Sequence, residues 1–79
     1  MSEDQVAKIA EAADMVLNGY AVTQDEAGNF KVFNLYTGKA AYIMNQGMLS
    51  ETNMDEVESA IACRIVNENR QFLGAAKDA

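Results

Sequence analysis

The sequence predicts a small two-layer α+β domain: a helix, a meander of three or four antiparallel strands, and a second helix, with both helices on one face of the sheet. Three observations predict it. Apolar residues recur at helical spacing near each end of the chain. The stretch between them alternates with a period of two. Short glycine-bearing polar segments cut that stretch into pieces of strand length. At 79 residues there is room for one domain over the whole chain, with a frayed tail over 74–79.

The first helix is expected over 3–17. Ser2 suits its N-cap, with Gln5 at the capping-box spacing, and Glu3 and Asp4 sit where the helix dipole favours negative charge. Val6, Ala10, Ala13 and Leu17 then form a stripe flanked by Ile9 and Val16. Asn18-Gly19 ends it, because glycine accepts the left-handed conformation just past a helix. Strands are expected over 20–24, 30–35 and 40–45, with 48–51 as a short fourth strand or an extended lead-in. Residues 25–29 form a hairpin connection, 36–39 a turn and Gln46-Gly47 a tight turn.

The second helix, over 54–73, has Thr52 or Asn53 as its cap, with Glu56 three residues beyond Asn53. Met54, Val57, Ile61, Ile65 and Phe72 fall within about 80° of one another at helical spacing, which makes them the expected core stripe. Ala62, Val66 and Leu73 form a second stripe, about 100–120° further round, for the first helix or a second chain to cover.

The residues argue against chemistry. There is no histidine, and Cys63 is the only cysteine. An internal disulfide is therefore excluded, and one thiol cannot build a zinc site. Cys63 falls mid-helix among Ile61, Ala62, Ile65 and Val66, which reads as a small hydrophobe and not as a nucleophile. The carboxylates Glu51, Asp55, Glu56 and Glu58 invite an acid–base reading. Their place at a helix start is explained by capping and the dipole. Residues 25–29 lack the alternating oxygen ligands of a calcium loop, and Gly38-Lys39 lacks the rest of a phosphate-binding loop. No catalytic, cofactor-binding or metal-binding residue is expected.

What remains is binding. The net charge of −6 counts against nucleic acid and anionic membranes, although Lys31 and Lys39 make 30–49 locally basic beside Phe33, Tyr36 and Tyr42. No apolar run approaches the roughly 20 residues that span a bilayer. The lone cysteine and the lack of a leader pattern predict a cytoplasmic protein. A chain this short buries only about 60% of its unfolded surface, so self-association, as a homodimer, is the expected supplement. If Phe30, Val32, Ala41 and Ile43 face the helices, Phe33, Leu35, Tyr42 and Met44 face outward and offer an apolar interface. The acids Glu51, Asp55, Glu56 and Glu58 would steer a basic protein partner. In size and charge the chain is similar to small phage and mobile-element proteins, including anti-CRISPR inhibitors that occupy nucleic-acid channels. No residue pattern carries that likeness. The expectation is a non-catalytic protein-binding module. The alternative is a self-associating structural or accessory protein with no foreign partner.

Overall fold

The structure, a computed structural model, describes residues 3–78, and the side chains of 5–70 except those of residues 6 and 10. The Ser2 cap and the side chains of Glu3, Asp4, Val6, Ala10, Phe72 and Leu73, all invoked above, lie outside the described residues. The elements are α1 (Glu3–Ala12), β1 (Met15–Leu17), β2 (Tyr20–Gln24), β3 (Phe30–Asn34), β4 (Ala40–Ile43), β5 (Leu49–Thr52) and α2 (Glu56–Asp78). The five strands form one antiparallel sheet in sequence order. The α+β class and the meander therefore hold, with two strands more than the minimum expected.

The first helix is shorter than its apolar spacing suggests. It ends at Ala12, and Met15, Val16 and Leu17 pair with Val22, Ala21 and Tyr20 as an edge strand. The cause is Asn18-Gly19. Both residues have positive φ, 52° and 83°, and Leu17 faces Tyr20 directly across them. That is a type I′ hairpin turn, whose twist matches the strands it joins. Asn-Gly serves a helix end and this turn equally well, and the β-branched and aliphatic run before it favours the strand. Asp14 completes the switch: its N–H donates to the Val22 carbonyl at 2.9 Å, and its carboxylate accepts the Gln24 N–H at 2.7 Å.

Period-two alternation decides the core. Cross-strand partners share a face, and Val22, Val32 and Ala41 lie in one row across β2, β3 and β4. With Phe30 and Ile43 they are buried against Met54, Ala62, Ile65 and Val66. Of the two faces that alternation leaves open, the helix-covered one is thus that of Phe30, Val32, Ala41 and Ile43. The expected helix face holds in part: Met54 and Ile65 are buried, but Val57 and Ile61 are exposed, while Ala62 and Val66, placed above in the second stripe, are fully buried in the core. The buried face of α2 thus runs through Met54, Ser59, Ala62, Ile65 and Val66.

The two helices do not share a face. α2 contacts β2, β3, β4 and β5. At 23 residues it is about 35 Å long. α1 contacts β2. Its Ile9 and Ala12 border a cleft with Thr23, Lys31 and Tyr42, which point the opposite way from Val22 and Val32. The second face is therefore half-covered, and Ala21 and Phe33 are buried there.

Polar ties fix where α2 lies. Its cap is Asp55, whose Oδ1 accepts the Glu58 N–H at 2.7 Å. Thr52 and Asn53, the expected caps, instead clamp the start of β4. Asn53 Oδ1 accepts the Ala40 N–H at 2.8 Å, and the Thr52 hydroxyl donates to the Ala40 carbonyl at 3.3 Å. The Ser59 hydroxyl donates to Thr52 Oγ1 at 3.1 Å. Asn34, only 8% exposed, donates from Nδ2 to Glu58 Oε1 at 2.6 Å. Its Oδ1 accepts the N–H groups of Tyr36 at 2.8 Å and Thr37 at 3.2 Å. One amide thus holds the β3–β4 turn and the helix start together.

Removing that amide as Asn34→Ala should cost about 1–2 kcal/mol, read as a lower urea midpoint at unchanged m-value, because its three part-buried hydrogen bonds are lost. A loss under about 0.5 kcal/mol would show that the tie is dispensable. Tyr20 pairs with Asn34 across the sheet. Burial, and then the charges of Glu58 and Asp55, hold its pKa above the usual 10.0. The folded state therefore keeps the proton longer than the unfolded state. The stabilisation this gives is complete below pH 10 and is lost as pH rises through the folded-state value. Tyr20→Phe should flatten the fall in stability above pH 10, measured by urea titration at stepped pH; an unchanged slope would remove Tyr20 as its source.

Candidate interaction surface

The open half of the second face is the best-formed surface feature. β3, β4 and β5 place Lys31, Tyr42 and Glu51 in one cross-strand row, because Lys31 pairs with Tyr42 and Tyr42 with Glu51. The row carries a cation, an aromatic ring and an anion in order. Lys31 Nζ lies 5.6 Å from the Tyr42 ring centroid and 5.9 Å from that of Phe33. A cation over a ring at so exposed a site contributes about 0.5–1 kcal/mol. Among the described residues Lys31 holds no ion pair.

A cleft of about 620 Å³ runs between α1 and this row. Ile9 and Ala12 form its helix wall, Phe33 and Lys31 its floor, and Tyr42, Met44, Ser50 and Glu51 its open side. Tyr42 is 45% exposed and Met44 nearly as much, so both present apolar area to solvent. Of the four residues expected to face outward, these two do so. Phe33 shares their face but is buried, because α1 covers it. Leu35 lies past the end of β3, half-buried, with its N–H on the Gly19 carbonyl at 2.9 Å, and it takes no part in the cleft.

The four acids divide into two kinds. Asp55 caps α2 and Glu58 is bonded to Asn34, so both have structural duties. Glu51 and Glu56 are exposed and hold no hydrogen bond or ion pair among the described residues. Ala62 and Val66 are closed inside the core, and the side chain of Leu73 lies outside the described residues. Cys63 is half-buried beside the core, in keeping with a small hydrophobe. Tyr36 is in the β3–β4 turn, away from the row, against Gly19.

β5 forms the border of this surface. All four of its residues are exposed, and no strand among the described residues lies beyond it. On its other side a notch of about 280 Å³ opens between β5 and α2, bounded by Leu49, Met54, Ala60 and Cys63. Sequence reading offered this segment only as a fourth strand or a lead-in, because four residues of mixed polarity carry little periodicity. No helix among the described residues is long and apolar enough to cross a membrane.

Comparison with curated proteins finds no match, and comparison with solved structures finds none. Comparison with family models finds one match, over residues 3–73, which takes in every strand and most of α2. The chain therefore belongs to DUF7723, a family of unknown function.

Proposed function

We propose that this protein is a non-catalytic protein-binding module that docks a basic protein on the open half of its second sheet face. The observation that carries this reading is the exposure of Tyr42 and Met44 in a cleft whose outer border is the unpaired carboxylate of Glu51. Aromatic and methionine side chains are enriched in binding surfaces, and a charged rim steers the partner. The net charge of −6 extends that steering over the whole molecule. The lone cysteine suits a reducing, cytoplasmic setting. A fitting partner is an enzyme with a basic nucleic-acid channel, which this acidic protein would inhibit by occupying it.

Capture of the partner from the native host by immobilised protein tests the reading. The captured protein should be basic and should elute with salt. Tyr42→Ala should lower its recovery about tenfold while leaving the urea midpoint within about 0.5 kcal/mol of wild type. Equal recovery by wild type and Tyr42→Ala would remove the cleft as the docking site. Glu51→Gln with Glu56→Gln should slow association and flatten its salt dependence. An unchanged salt slope would end the steering proposal.

A second reading, self-association as a homodimer, is favoured by a different observation. Val57, 72% exposed, and Ile61, one turn on, form an apolar strip on the solvent side of α2. A second copy would cover that strip, in place of the stripe first assigned to it. Sedimentation across the micromolar range should then show a dimer that Val57→Glu dissociates, and a strict monomer would sink this reading.

A further inference from the structure

The docking face ends in an open sheet edge, and the chemistry on each side of that edge specifies what fits it. We propose that the partner adds an extended segment to β5 as a sixth strand, and that this segment alternates cationic with apolar side chains. The proposal rests on the docking reading above and names its mode.

Three features of the sheet edge support it. First, β5 is an edge strand with all four residues exposed, and nothing among the described residues pairs with its outer row of amide and carbonyl groups. Such a row is a template for strand addition, in which main-chain hydrogen bonds supply affinity and alternate side chains supply specificity. Second, the two sides of the edge differ. On the second face the row Lys31, Tyr42, Glu51 ends on an anion that holds no partner among the described residues, so the next position outward favours a cation. On the α2 side the notch bounded by Leu49, Ala60 and Cys63 is apolar and roomy enough for an aliphatic side chain. A strand presents successive side chains to opposite faces, so one segment meets both demands by alternating. Third, the edge disfavours a second copy of this chain. Ser50 is an extra residue between the pairs Tyr42 with Glu51 and Ile43 with Leu49, which bulges the strand. Two-fold pairing of so short a strand would set each Glu51 close to its own counterpart, with Glu56 of each copy nearby, and like charges across strands repel. A basic foreign segment meets the same charges as attraction.

The test uses the isotope-labelled full chain and an alternating lysine–valine heptapeptide as probe at low ionic strength. Three comparisons accompany it: the same peptide N-methylated at every amide, an alternating glutamate–valine heptapeptide, and the Glu51→Lys protein. The proposal expects the lysine–valine peptide to slow amide exchange in 49–52 by about tenfold or more, and its N-methylated form to bind at least about tenfold more weakly. Glu51→Lys should reverse the preference toward the glutamate–valine peptide. Equal binding by the N-methylated peptide, shifts confined to Tyr42 and Met44 without protection in 49–52, or no binding of the lysine–valine peptide would each overturn strand addition. The docking reading has its own test, because recovery of the native partner with Tyr42→Ala does not depend on the peptide. Loss of recovery without β5 protection leaves docking and removes the sixth strand.

Discussion

The Asn34 amide is the constraint on which the arrangement of layers depends. A meander pairs only sequence neighbours, so its ladders say nothing about where a following helix must lie. Burial of apolar area holds α2 to the sheet but is nearly indifferent to small slides and rotations. Asn34 removes that indifference by tying Glu58 to the β3–β4 turn. Thr52 and Ser59 add a second tie at the same end. At the far end Gly47, with φ of 96°, lies close against the Asn67 side chain. These polar and steric points select one placement among many that bury similar area.

That placement sets what the surface can do. With Glu58 and Asp55 occupied in holding α2, Glu51 and Glu56 are the two of those four acids whose side chains hold no bond among the described residues. Both lie near β5, one on each side of the strand: Glu51 borders the cleft and Glu56 the notch. The long-range field still follows from the net charge of −6, while close contact is governed by two carboxylates and the aromatic row beside them. In the proposed docking, steering and specificity would reside in different residues, so neutralising one acid and truncating one ring should have separable effects.

Much of this was legible in the sequence, and the misses have physical causes. The three central strands and their faces follow from period-two alternation, because a slip of one residue would turn Val22, Val32 and Ile43 outward. Tyr42 and Met44 follow from the same rule. β1 was hidden because Asn18-Gly19 fits a helix end and a type I′ turn alike, and only pairing with β2 separates them. The burial of Phe33 depends on α1 crossing to the other face, a long-range outcome that local pattern does not encode. On α2, angular clustering put Val57 and Ile61 in the core stripe with Met54 and Ile65, whereas the buried face is rotated toward Ser59, Ala62 and Val66. Asn34 gave no signal at all, since an asparagine ending a strand reads as turn chemistry and its partner is 24 residues away.

Topology makes β5 an edge, and the chain leaves it open in a particular way. α2 follows β5 directly and folds back over one face, so no later segment among the described residues pairs with the strand. Proteins protect such edges with proline, with bulges or with charge. This chain has no proline, and it uses the bulge at Ser50 and the charge of Glu51. The devices are not equivalent. A proline removes a donor and blocks every partner alike. A carboxylate repels acidic chains, including this one, and attracts basic ones. An edge protected by charge is therefore closed to self-assembly and open to a cationic strand, and that asymmetry is what a selective docking edge on an acidic protein requires.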